Sequence, residues 1–206
     1  MDTNNMSIFK KGNFRRPERN FKNMGRLALK HLSNFQDTFD IQDTDTTINF
    51  IRDTIIADYF HFDLVNKEKH GFDAKKSRTD EFLEVKQCSV SAKRWGGTWN
   101  DTNLEKAKAF SGRKLFTAIA VWSGAEDLQF VVFGKSKKLG DYLKEKINNR
   151  KKGSRSTQTI SITKLIGWGF EVYIPSGRSK KDLLKQLTTH NKRLAKLVSP
   201  VNMKRI

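Results

Sequence analysis

Asp73 stands eleven residues before Glu84, and Glu84 stands two before Lys86. Two carboxylates supply the hard oxygen donors that Mg²⁺ takes, and a backbone carbonyl such as that of Val85 can join them. An ammonium group beside them positions a nucleophile or steadies negative charge developing on a phosphate. The chemistry this set suits is metal-assisted hydrolysis of a phosphodiester. Such residues need a scaffold, and residues 81–87 (EFLEVKQ) are short, aromatic and β-branched, the composition of a strand. Strand alternation places Glu84 and Lys86 on one face and Leu83 and Val85 on the opposite, core face. The turn-like residues 75–80 predict a hairpin whose first strand ends near Gly71-Phe72-Asp73, setting the Asp73 carboxylate to face Glu84. A second set in the same order, Asp63, Asp73 and Lys75, falls on polar, turn-like sequence that lacks rigid support.

The order Asp, about ten residues, then Glu-x-Lys on an apolar strand resembles the PD-(D/E)xK nuclease superfamily, and Gly71-Phe-Asp-Ala with Glu84-Val-Lys-Gln looks most like type II restriction endonucleases and related resolvases. Glu-x-Lys occurs once in the chain. The resemblance implies Asp73, Glu84 and Lys86 as catalytic residues, with Asp53 as an acidic member from the preceding helix. Asp53 stands where that family usually has Glu, and no Pro precedes Asp73. The resemblance also implies Mg²⁺ as cofactor, double-stranded DNA as substrate, a homodimer whose two sites cut two strands, and a cognate methyltransferase acting on the same site. A Holliday-junction resolvase or repair nuclease is the alternative within this chemistry. A non-catalytic nucleic-acid-binding protein is the alternative outside it.

The elements around the motif predict an α/β (α+β) fold, a mixed central sheet flanked by helices, with a restriction-endonuclease-like core. Ile48, Ile51, Ile55, Ile56, Tyr59 and Phe60 recur at helical steps over 43–62, with Asp43, Thr44 or Asp45 available as a cap. Thr102-Asn-Leu-Glu105 is a capping-box pattern opening a helix to about Phe110. The apolar runs 115–122 and 128–133 have the length of buried strands in mid-sheet. A helix over 136–149, a strand or short helix over 160–166, a strand over 170–174 and one basic helix from Ser179 to about Val198 complete the pattern. The first 30 or so residues show little periodicity and read as an arm. The expected organisation is a basic N-terminal arm and helix over 1–42, a catalytic core over 43–134 and a basic, DNA-binding part of the same domain over 135–206.

The charge points to the partner. The 206 residues carry 40 Lys or Arg against 22 Asp or Glu, a net +18, and from Lys135 onward 19 bases face only four acids. Clustered positive charge draws polyanions and is rewarded by counterion release from nucleic acid. The loop 89–101 mixes Lys93, Arg94 and Trp99 with Gly96-Gly97 and suits a phosphate backbone or groove, or else a turn whose Trp rings cover the core. Residues 150–159 offer Arg150, Lys151 and Lys152 for phosphates and Arg155 and Gln158 for base edges. The single cysteine, Cys88, excludes an internal disulfide, and four His in no metal spacing exclude a cysteine-based zinc cluster. No apolar run reaches the length of a membrane span and the first residues lack a secretory signal, so the expectation is a cytoplasmic protein without a membrane partner.

Overall fold

The computed structural model describes residues 21–39, 46–64, 72–76, 78–100, 102–112, 114–150, 156–198 and 202–206. In chain order the elements are α1 (Phe21–Phe39), α2 (Thr46–Tyr59), β1 (Asp63–Leu64), β2 (Ala74–Lys76), β3 (Glu81–Ser89), β4 (Gly96–Trp99), α3 (Leu104–Ser111), β5 (Leu115–Ser123), β6 (Asp127–Lys135), α4 (Lys137–Asn148), β7 (Gln158–Ser161), α5 (Ile162–Gly167), β8 (Glu171–Ile174), α6 (Lys180–His190), α7 (Lys192–Leu197) and β9 (Met203–Arg205). The fold is mixed α/β. Seven strands form one sheet in the order β1-β2-β3-β5-β6-β8-β9, and β4 with β7 forms a separate two-stranded ribbon. The β3–β5 and β8–β9 pairs are parallel and the other pairs are antiparallel.

Alternation along the central strands splits the core in two. Ala118, Ala120 and Trp122 of β5 face α1 and α2, where they meet Leu83, Val85, Ile55 and Ile56. Ile119 and Val121 face the other way, toward Phe110 of α3, Leu139 and Leu143 of α4, and Trp95 and Trp99. A strand covered on both faces reads as one unbroken apolar run, which is why 115–122 lacks the alternation of a half-solvated strand. The helices of the second face are pressed close. A Cβ on Gly140 of α4 would lie 2.1 Å from the Ser111 backbone nitrogen and 2.4 Å from the Phe110 carbonyl carbon. Only glycine lets α4 approach α3 that tightly.

Several boundaries differ from the sequence reading, each for a local reason. Residues from Phe21 onward form α1 rather than an arm, with Leu29 fully buried among the α2 side chains; residues 1–20 and the proposed caps Asp43, Thr44 and Asp45 lie outside the described residues. The α3 cap is Asn103 and not Thr102, because the Asn103 side chain accepts from Lys106 N while the Thr102 hydroxyl donates to Trp99 O. Lys75 and Lys76 belong to strand β2, not to the turn, which closes over 78–80. The last basic helix is two helices. Asn191 adopts an extended φ of −161°, ends α6, and accepts from Arg193 N and Leu194 N to begin α7. Strand β9, only three residues long, gives no periodicity to detect. Among the described residues no helix is long and apolar enough to cross a membrane.

Candidate active site

β3 carries the cluster. It is paired over its length with β5, where Glu84 stands beside Thr117, but its pairing with β2 stops at Ala74 and Leu83. One further step of that register sets Asp73 opposite Glu84. There the side chain takes over from the ladder: Asp73 Oδ2 accepts from Val85 N at 2.5 Å, while Asp73 N donates to Leu83 O at 2.9 Å. The N–H and C=O of one strand residue point to the same side, so the Val85 carbonyl shares this edge with the Asp73 carboxylate.

Glu84 and Lys86 share the face toward α3, as period two requires, with Lys86 Nζ 2.6 Å from Glu84 Oε1. Asp53, Asp73 and Glu84 are each at most 6% exposed, a degree of burial that carboxylates reach only when paired. Burial pushes the Glu84 carboxyl above its ordinary value of 4.5, the Asp73 charge pushes it further, and Lys86 with Lys106 opposes the rise without cancelling it. For Lys86 burial works against the charged form, but the Glu84, Asp73 and Asp53 carboxylates outweigh it and the ammonium is held above its ordinary value of 10.5. Lys86 is therefore protonated at neutral pH.

Asp53 reaches the cluster from the other side. Gln87, one residue after Lys86, points to the α2 face, where its Nε2 donates to Asp53 Oδ1 at 2.7 Å and its Oε1 accepts from Trp122 Nε1 at 2.5 Å. The indole N–H fixes which end of the Gln87 amide faces Asp53. Asp53 is thus tied across β3 from Glu84, coupled to Lys86 by charge rather than by a direct bond. In the alternative set, Lys75 makes a 2.5 Å ion pair with exposed Asp80 at the turn.

Two neighbours carry no motif signal. Lys106 of α3 adds positive charge at Glu84 and donates its Nζ to Asn100 O at 2.9 Å; only the Asn103 cap that orients α3 hints at it. Gly97 of β4 is pressed against Lys86, since a Cβ there would lie 3.1 Å from Lys86 Cγ and 2.8 Å from the Trp99 ring. Trp99 is fully buried and cannot retreat, so Lys86 is the neighbour that gives. Gly97→Ala is expected to push the Lys86 side chain away from Glu84 and so to move the Glu84 titration to higher pH, which carboxyl NMR checks.

Of the DNA contacts read from the sequence, Lys93 and Arg94 are exposed just before β4, and Arg150 is exposed just beyond α4. Lys151, Lys152 and Arg155 lie outside the described residues. Trp99 requires correction: with Trp95 it belongs to the core between sheet and helices, 0% exposed, and is closed to DNA. The large apolar ring is worth more inside than in a solvated loop. Gln158 pairs with Trp99 and lies on the same, inner side of the ribbon, half-buried.

The donor set for a cation is two carboxylates and one carbonyl. Among the described residues no three His, Cys, Asp or Glu side chains form a metal-holding group. Mg²⁺ does not require one, since it binds through one or two carboxylates and keeps several waters. Asp73 and Glu84 fit it on electrostatic grounds, because a cation between them relieves the repulsion that raises Glu84. No family model and no curated protein sequence matches the chain.

Proposed function

We propose that the protein is a Mg²⁺-dependent endonuclease that hydrolyses phosphodiester bonds of double-stranded DNA in the manner of a type II restriction enzyme. The observation that carries this reading is the convergence of Asp73, Glu84 and Lys86 at the point where β2 leaves the β3 edge. Held by Asp73, Glu84 and the Val85 carbonyl, Mg²⁺ would supply positive charge against the phosphate oxygens and acidify water. Water attacks phosphorus in line and one P–O bond breaks, leaving a phosphomonoester and a hydroxyl. Lys86, held beside Glu84, positions the nucleophile or steadies the negative charge that develops on the phosphate. Asp53 and Gln87 fix the strand segment that presents it. Cutting two strands calls for two such sites, hence a homodimer, and the protein's own DNA would be protected by a methyltransferase acting on the same sequence.

The test is incubation of purified protein with plasmid and with four-way junction DNA, in Mg²⁺ and in EDTA. Discrete, metal-dependent fragments support the reading, and selective nicking of the junction would replace it with a resolvase. Binding without cutting under any condition would overturn hydrolysis altogether. The acid limb of the activity profile carries a second expectation. Glu84 must be ionised to hold a cation, and its pKa is raised, so Mg²⁺ affinity falls as pH drops through a midpoint above 4.5. Lys86→Met removes the stronger of the two charges that oppose the rise, leaving Lys106, and should move the Glu84 titration, followed by carboxyl NMR, to still higher pH.

A further inference from the structure

The β4–β7 ribbon has a face that the hydrolytic cluster does not use. Its register pairs Gly96 with Ser161, Gly97 with Ile160, Thr98 with Thr159 and Trp99 with Gln158. Directly opposed residues share a face. Gly97, Ile160, Trp99 and Gln158 therefore form the inner face, against the core and the stem of Lys86. Thr98 and Thr159 form the outer one, both exposed, with their Oγ1 atoms 3.2 Å apart. One further step brings Asn100 opposite Thr157, again both exposed, with Thr157 Oγ1 donating to Asn100 Oδ1 at 3.4 Å.

Among the described residues this outer face is a ladder of hydroxyls and one amide without a charged side chain, on a chain of net charge +18. Short, uncharged donors and acceptors are what base edges demand, and a two-stranded ribbon fits the roughly 12 Å major groove. The charges stand at the margins: Lys93 and Arg94 precede β4, and Lys106 is bound to the Asn100 carbonyl.

The geometry points to the β4–β7 ribbon as the element that reads base edges in the major groove of duplex DNA, with Thr98, Asn100, Thr157 and Thr159 as the readers and Lys93 and Arg94 on the phosphates. The inference rests on reading the Asp73–Glu84–Lys86 cluster as a DNA-hydrolysing site. Because the inner face touches the Lys86 stem at Gly97, the readers lie on the opposite face of the ribbon that packs against that lysine, which ties the sequence recognised to the bond cut. Alternation moves the reading role from Gln158, on the inner face, to its neighbours Thr157 and Thr159.

Selection from a randomised duplex library, with the Glu84→Gln protein so that bound DNA stays intact, tests this apart from cleavage. That protein is expected to enrich a short sequence motif. Adding Thr98→Val and Thr159→Val keeps the β-branched shape and removes both hydroxyls. Enrichment should then fall about tenfold or more at one or two adjacent positions, with the melting temperature and the salt slope unchanged. Lys93→Ala and Arg94→Ala should weaken binding uniformly and lower the salt slope by about one each. The same motif with and without the two hydroxyls, no motif from the parent protein, or tighter binding to single-stranded RNA than to duplex would overturn the inference. A motif from a protein whose wild type cuts no plasmid would leave the ribbon reading standing and refute the hydrolytic one; cleavage without a motif would do the reverse.

Discussion

Glu84→Gln is expected to lower metal-dependent cleavage at least a hundredfold, the scale on which single charge-stabilising groups act in hydrolytic sites, while the metal-free protein melts no lower than wild type at pH 8. The two halves have one cause. The carboxylate of Glu84 is buried beside Asp73, so the folded state holds a proton on it more tightly than the unfolded chain does. Stability is therefore lost as pH rises from the ordinary glutamate range through the raised value. Gln is nearly isosteric and uncharged, and removes that loss. Lys86 is not stranded by the change, because the charges of Asp73 and Asp53 still act on it. A structural ion pair behaves oppositely: breaking it by removing one partner leaves an uncompensated charge and destabilises. Thermal melts in EDTA beside cleavage rates in Mg²⁺ separate a site built to hold a cation from an ion pair built to hold the fold.

The second large effect concerns the fold around the site. Gly140→Ala is expected to cost about 3 kcal/mol, which for a domain of this size is a fall of about 6 to 12 °C in melting temperature. In an ordinary helix this substitution gains up to about 1 kcal/mol from propensity. Here the added methyl meets backbone atoms of Phe110 and Ser111, which cannot swing aside as a side chain does. Relief requires moving α3 bodily, and Ala107 and Phe110 of that helix are locked in the core. Gly167→Ala is the internal control: a Cβ there meets nothing within 4 Å, so its melting temperature should stay level or rise slightly. A neutral result for Gly140→Ala, measured by calorimetry, would mean that α3 and α4 do not cross as closely as described.

What could be read from the chain and what could not divides along the range of the interactions involved. The β3 strand, with Glu84 and Lys86 on one face and Leu83 and Val85 on the other, follows from alternation within seven residues. The buried strands β5 and β6 follow from their apolar runs. The nearness of Asp73 to Glu84 was legible from a hairpin joining them, but its register was not, since the first strand runs over Ala74–Lys76 and begins after Asp73 instead of ending there. Trp99 was not, since a Trp beside two glycines and two bases looks the same whether the ring faces a groove or a core; what decides it is contact with Phe110, eleven residues on. Gly97 against Lys86 and Lys106 beside Glu84 depend on how β4 and α3 are laid over β3, which no local pattern encodes. The Asp53–Gln87–Trp122 chain joins α2, β3 and β5, spanning separations of 34 and 35 residues. The identity of Gln158 was legible and its face was not, because the ends of a four-residue strand set the parity and the sequence marks neither end.

The most direct measurement is a crystal grown with Mn²⁺ in place of Mg²⁺, in which the anomalous signal locates the ion without reference to any protein atom. One peak is expected at the β3 edge, with an Asp73 oxygen and a Glu84 oxygen at coordination distances of about 2.0 to 2.6 Å, and its disappearance in Asp73→Asn. Cleavage-competent protein whose Mn²⁺ lies elsewhere, with Asp73 and Glu84 too far apart to share an ion, would contradict it.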